Sequence, residues 1–431
     1  MDYIEDDELC NSILIEVEKY IKDFILKYEC NNFNKNEYND ILLFCSQLID
    51  QRYEEFYKDD LIEIIVSILD DIRENTENFT SLYYKKMFGG IGQFAYSINI
   101  IFKKTGKLKN LSHSLNQYLL NYSYDVITYT NDEPTIFGLY DIISGISGNL
   151  YYILDCLDLV SDKENIRKIH SLISFLIGLS KDYKYKGSNV IKFHIMREQQ
   201  YLEEDKKLMI DGHINFGLAH GIIGALVTLA KSKYLNYNVE GLDESIMKIF
   251  DLYEMFCVRE NSILKYPTKL PLEYYTSGNI FNLSINSGWC YGNISIVRSL
   301  MKVCKYMGFD NQYKFYKKEL LNIINQPIEL YNLSSPIVCH GYSSVVVIQV
   351  SAYKETKDID FLKTLKRNLS ELLKEHKKIT ATCLNKNEKE LLYRDLYKED
   401  ISLLEGSGGV ILALINSLTF DLTFDKILLM D

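Results

Sequence analysis

A chain of 431 residues, 47% of them hydrophobic, buries a large core, and its length admits two or three domains or one closed architecture. Its formal charge of −11 excludes bulk neutralisation of nucleic-acid phosphates, while the acidity itself names no partner. Met1-Asp2-Tyr3-Ile4-Glu5-Asp6-Asp7-Glu8 lacks the basic and apolar stretches of a secretory signal, and no apolar run reaches the roughly 18 residues of a membrane span, so the chain is read as cytosolic.

With 22 Gly and only 5 Pro there are few breakers, and helical periodicity dominates. Ile13, Ile15, Val17, Tyr20, Ile21, Phe24 and Ile25 predict a first amphipathic helix, and Leu61 to Ile72 another. A motif then recurs: a Gly-rich knot followed at once by an apolar helix. It begins with Gly89-Gly90-Ile91-Gly92, Ser144-Gly145-Ile146-Ser147-Gly148 and Gly217-Leu218-Ala219-His220-Gly221. It continues with Trp289-Cys290-Tyr291-Gly292, Cys339-His340-Gly341 and Glu405-Gly406-Ser407-Gly408-Gly409. Intervals of about 50 to 75 residues leave room for two helices each, the pattern of stacked helical hairpins. The glycines let backbones pack closely and let helices begin on tight turns, whose free N–H groups suit anionic ligands. The polar segment from Lys181 to Gly212 breaks the pattern. Its Asn189–Met196 stretch alternates roughly with period two, which fits either a small β-containing insertion or a plain long loop.

Nine scattered cysteines do not form a disulfide framework, and Cys10, Cys30, Cys45, Cys156, Cys257 and Cys304 are read as thiols without a special role. Cys339 and His340 place a soft thiolate beside an imidazole. Adding Cys290 gives three protein ligands for tetrahedral zinc with the fourth position open, the catalytic rather than structural arrangement. The separation, 339 − 290 = 49 residues, is too long for a local zinc ribbon. Two thiolates neutralise Zn²⁺ and would leave an incoming thiol deprotonated and nucleophilic. His220 is either a packed histidine or a proton-transfer group. Asp141 is either a helix N-cap or an acid or orienting partner. Tyr291 offers a phenol donor beside Cys290. His113, His170 and His376 are expected at the surface, and His194 and His213 lie in or beside the insertion with no evident partner.

Together these motifs resemble the lanthionine cyclase family, the lanthionine synthetase C-like proteins. The match runs through Tyr140–Gly148, Gly212–Gly224, Trp289–Gly292, Cys339–Gly341 and Ser402–Gly409, in the family's order and over most of the chain. No dehydratase-sized region precedes it, so the stand-alone cyclase is expected. The resemblance implies an all-α, double-layered α/α toroid over residues 1–431, with the 181–212 insertion on its rim helping to hold a peptide. It implies one Zn²⁺ per chain on Cys290, Cys339 and His340, with His220, Asp141 and Tyr291 as catalytic residues. The implied reaction is Michael-type addition of a peptide cysteine thiolate to dehydroalanine or dehydrobutyrine, giving lanthionine or methyllanthionine rings. The implied partners are a dehydrated lantibiotic precursor peptide, a dehydratase and an ABC exporter in a membrane-associated complex at the inner face of the membrane.

Three departures stand out. Asn286 occupies the position where the family often has arginine, Ile294-Ser295 replaces a Pro-Gly pair, and Ser343-Ser344 replaces a small residue plus Gly. Asn286 favours an alternative, a non-catalytic peptide- or glutathione-binding toroid. A protein prenyltransferase subunit would expect a carboxylate among the zinc ligands and a partner subunit, and the Cys339-His340-Gly341 pairing fits it poorly.

Overall fold

The computed structural model describes residues 7–30, 33–49, 54–75, 86–129, 135–380 and 400–431. These fall into two compact units, one drawn from Met1–Tyr84, Gly89–Ser112 and Pro327–Asp431, the other from Lys85–Phe88 and His113–Gln326.

In the first unit, helix Tyr342–Thr356 is buried without a break from Tyr342 to Ala352, and Ser407–Thr419 from Ser407 to Leu418. Helix Ile91–Thr105 is likewise buried from Ile91 to Ile101. Helices buried on every face must be surrounded. The Tyr342 and Ser407 helices pack on each other, the Ser407 helix on Tyr38–Leu48, and that helix on the Ile91 helix. Amphipathic helices Asp7–Glu29, Glu54–Glu74 and Leu365–Thr380 pack on this inner row. The Asp7 helix buries Ile13, Val17, Ile21, Phe24 and Ile25, but Ile15 is 67% exposed because its position lies off that stripe.

His376 corrects the expectation of a surface histidine. It continues the buried stripe of Leu365, Leu369, Leu372 and Leu373, is 1% exposed, and its Nε2 lies 3.4 Å from Glu16 Oε1. The bond from His376 holds the Glu16 carboxyl below its ordinary value of 4.5, against the opposing push of burial. That stabilisation is present above pH 4.5 and is lost as pH falls through the lower folded value. Glu16→Gln should therefore shrink the drop in Tm between about pH 7 and about pH 3. An unchanged drop would contradict the pairing.

The second unit repeats the plan. Ile146–Ile153, Ile222–Tyr234 and Asn293–Met307 form its inner row, each buried over most of its length. Lys163–Ser180, Leu242–Met255 and Asp310–Asn325 cover them with one apolar face. The segment 181–212 is β-containing. Strand Asp182–Tyr185 pairs antiparallel with Ser188–Ile191 across Lys186 and Gly187, both at positive φ as a tight hairpin turn demands. The strand stops at Ile191, short of the alternation that pointed to it, although Ile195 still bridges His213. Two further pairings lie outside that segment: Val258–Glu260 with Ile263–Lys265, and His213–Asn215 with Lys269–Pro271.

His194 has partners after all. Its Nδ1 lies 2.8 Å from the Tyr183 hydroxyl and its Nε2 2.7 Å from the Asp211 carbonyl, so it pins the hairpin to the loop that follows. His213 is buried in its strand, and burial pushes its pKa down to about 3, leaving it neutral.

Candidate functional site

Every chemistry-bearing residue singled out above sits at or just before a glycine that opens an inner helix. Gly90, Gly145, Gly221, Gly292, Gly341 and Gly406 are N-cap residues in extended conformation, so positive φ does not explain them. Space does, as Gly145 and Gly341 illustrate. A Cβ on Gly145 would lie 2.4 Å from the Asp141 nitrogen, and one on Gly341 would lie 2.2 Å from the Ser335 carbonyl oxygen. The incoming chain folds back onto its own cap, and the residue before the glycine is held where the helix begins. Gly341→Ala should lower stability by roughly 1–3 kcal/mol, read as a lower Tm. An unchanged Tm would mean the turn opens freely.

In the second unit this arrangement assembles a dyad. Asp141 is fully buried and uses both oxygens. Its Oδ1 accepts from the Ser144 and Gly145 amides at 2.7 and 2.8 Å, and its Oδ2 lies 2.6 Å from His220 Nδ1. Asp141 is not itself the helix N-cap, which is Gly145, but its carboxylate closes the turn ahead of that cap and also contacts the imidazole. His220 is partly exposed, with the Phe137 ring edge-on at 5.0 Å, and its carbonyl accepts the Tyr140 hydroxyl at 3.2 Å.

The Cys290 turn is fastened to the same place. Its carbonyl accepts from the Leu218 and Ala219 amides at 2.8 and 3.3 Å. The missing side chain of Gly217 makes room for the Tyr291 ring, since a Cβ there would lie 2.3 Å from Cδ1. Asn215 donates to the Tyr291 hydroxyl at 3.4 Å and accepts from the Gly217 amide at 3.0 Å. Burial, and secondarily Cys290, pushes the Tyr291 phenol well above its ordinary value, so it remains a protonated donor.

In the first unit, the Cys339 amide donates to the Leu404 carbonyl at 2.8 Å, tying two glycine-capped turns together. Ligand atoms of Cys339, His340 and Glu405 lie within 4.8 Å of one another, close enough to hold a metal ion. Cys339 is buried, while His340 and Glu405 are exposed. A hydrogen bond to Cys339 raises the His340 pKa against the opposing effect of burial, with Glu405 adding a smaller pull.

The family model for lanthionine synthetase C-like proteins matches residues 16–429. The chain belongs to that family. It is 27% identical over 346 residues, 78% of each chain, to the nisin biosynthesis protein NisC of Lactococcus lactis subsp. lactis. The solved structure of nisin cyclase superposes with a TM-score of 0.78 at 23% identity, covering 96% of this chain and 98% of that one. That likeness shows the fold, the all-α, α/α-toroid class expected from the sequence.

Against the family pattern, Asn286, Ser295 and Ser344 have local roles, while nothing in the structure explains Ile294 or Ser343. Asn286 Oδ1 accepts from the Gly288 amide at 3.2 Å, closing an Asx turn at the entry to the Cys290 loop. Ser295 donates to the Gly292 carbonyl at 2.9 Å, and Ser344 donates to the Val338 and Gly341 carbonyls at 2.8 and 2.7 Å. The serine hydroxyls thus stitch their helix starts to the turns before them. Glu405 was missed by sequence reasoning. Its signal was position, because it precedes a cap glycine as His220, Tyr291 and His340 do. Among the described residues no helix is long and apolar enough to cross a membrane.

Proposed function

We propose that the chain is a zinc-dependent cyclase that closes lanthionine and methyllanthionine rings in a dehydrated lantibiotic precursor peptide. The observation that carries this reading is the 2.6 Å contact between His220 and the fully buried Asp141, at the start of an inner helix and beside the Cys290–Tyr291 turn. Family membership and the likeness to the nisin biosynthesis protein NisC support it.

In this reading a cysteine thiolate of the peptide adds to the β-carbon of dehydroalanine or dehydrobutyrine, forming the C–S bond and an enolate. His220, protonated on both ring nitrogens, gives its Nε2 proton to the α-carbon. Asp141 fixes the other nitrogen and stabilises the imidazolium. The thiol loses one proton and the α-carbon gains one, so mass is conserved. Tyr291 donates a hydrogen bond in the same turn, positioned by Asn215. Cys339 and His340 are the residues that would hold one Zn²⁺, with Cys290 as the third ligand implied by the family resemblance. The soft sulfur and imidazole donors fit that ion. When bound, zinc lowers the pKa of a thiol and keeps it as a thiolate.

The family match across both compact units supports one cyclase domain over residues 1–431, with the 181–212 hairpin segment as a peptide-holding element. The partners in this reading are a dehydratase and an ABC exporter, which place the cyclase in the cytoplasm at the inner face of the membrane. Incubation with a dehydrated, cysteine-containing precursor should remove alkylatable thiols at constant peptide mass. Asn286, spent on an Asx turn, favours the second reading of a non-catalytic peptide- or glutathione-binding toroid. Peptide binding with every thiol still alkylatable would establish that reading instead.

A further inference from the structure

We propose that Phe137 is a positioning residue for ring closure, fixing the tilt of the His220 imidazole so that its proton reaches one face of the enolate. It rests on the cyclase reading and adds to it a residue that controls configuration. Phe137 and Asp141 grip the imidazole from a single turn of helix. The Asp141 amide donates to the Phe137 carbonyl at 2.8 Å, closing the four-residue helix Phe137–Tyr140. Positions i and i+4 of such a turn face the same way, so the aromatic ring and the carboxylate both meet His220. Asp141 Oδ2 lies 2.6 Å from Nδ1, and the Phe137 ring packs against the imidazole at 5.0 Å between centroids, with the planes 61° apart.

The same turn is fastened to the backbone around His220. Tyr140 is fully buried, sits edge-on to Phe193 at 4.9 Å, and donates its hydroxyl to the His220 carbonyl at 3.2 Å. On the other side of Asp141, the Ile142 amide donates to the Ala219 carbonyl at 3.3 Å. The backbone that carries Phe137 is therefore fixed relative to the imidazole. Phe137 is not a filler of the core, because it is only half-buried and the His220 side chain beside it is 29% exposed. The pair stands at the open side of the dyad, where a substrate must approach.

The two contacts constrain different motions. The hydrogen bond at Nδ1 rejects a flipped imidazole, which would set a carbon against the carboxylate. It leaves the ring free to tilt about that bond, and the aromatic wall of Phe137 removes the tilt. The direction of the Nε2–H bond is then set. When the thiolate forms the C–S bond at the β-carbon, the displaced electron pair passes into the enolate. The Nε2–H bond breaks as the α-carbon takes the proton, leaving a neutral imidazole. The α-carbon is planar until that moment, so the face that receives the proton decides the configuration of the new centre. One orientation of Nε2–H gives one configuration, and a tilting ring gives two.

The test is single-turnover closure, with enzyme in excess, of a dehydrated peptide carrying one dehydroalanine and one cysteine. Wild type, Phe137→Ala, Phe137→Leu and Phe137→Tyr are compared with a reaction lacking protein. The product is hydrolysed and its two lanthionine diastereomers are separated by chiral chromatography. Wild type is expected to give one diastereomer. Phe137→Ala and Phe137→Leu should close the ring roughly 10- to 100-fold more slowly and give both diastereomers. Phe137→Tyr, which keeps the aromatic plane, should restore the single product. If the alanine variant does not fold, Phe137→Leu carries the test, because leucine fills much of the space without a ring. A single diastereomer from the folded Ala or Leu variants, at whatever rate, would overturn the role of Phe137 and leave the cyclase reading standing. Both diastereomers from wild type would overturn facial control in the same way. No loss of alkylatable thiol with wild type would overturn the cyclase reading, and this proposal with it.

Discussion

Replacing Asp141 with asparagine is expected to slow ring closure by roughly 100- to 10,000-fold while leaving bound zinc unchanged. Asp141 Oδ1 receives two backbone amides and Oδ2 receives His220 Nδ1–H. An asparagine keeps its oxygen on the two amides, since both are donors, and so turns its NH₂ toward His220. Nδ1 must then be an acceptor, the proton moves to Nε2 in the neutral ring, and the imidazolium loses the carboxylate that stabilises it. The turn survives and the proton donor does not. His220→Ala should do as much damage to turnover without touching the turn, and also without loss of metal. Single-turnover cyclisation of a dehydrated peptide, read beside metal content, checks both variants. Wild-type rates in His220→Ala would remove the proton-transfer role.

The second large effect is on the metal itself. If Cys290, Cys339 and His340 hold zinc as proposed, Cys339→Ala, and separately Cys290→Ala, should lower it from about one per chain to none after dialysis, since that set leaves no spare donor of comparable softness. The exposed Glu405 and His340 alone offer no soft sulfur donor. Elemental analysis of the purified variants decides the matter, and full retention in both would end the site assignment.

The glycine-rich knots were legible in sequence because close backbone approach leaves only glycine at the cap, whatever the rest of the turn contains. Cys339 and His340 were legible because they are adjacent in the chain. The bond between Asp141 and His220 was not, as 79 residues separate them and only the carbonyl and amide links among their turns bring them together. Each residue could be suspected alone, but the spacing says nothing of the pairing. Glu405 was not legible, since a surface glutamate before a glycine has many ordinary explanations.

Helical and strand periods account for two further differences. His376 lies on the same helical stripe as Leu369, Leu372 and Leu373, so its periodicity outweighed its polar neighbours. The alternation from Asn189 to Met196 located a β segment but overran the strand, because Lys192 and Phe193 turn the chain before Ile195 bridges His213. Strands of three residues, such as His213–Asn215 and Lys269–Pro271, are too short to leave a period-two pattern at all.

The most direct measurement strips the purified chain of metal with a chelator, removes the chelator, and follows loss of alkylatable thiols in a dehydrated precursor before and after zinc is restored. The account predicts negligible enzyme-dependent thiol loss in the stripped protein and recovery on adding one equivalent of zinc, at unchanged peptide mass. Ring closure at the same rate with and without zinc, in protein shown to be free of metal, would contradict it.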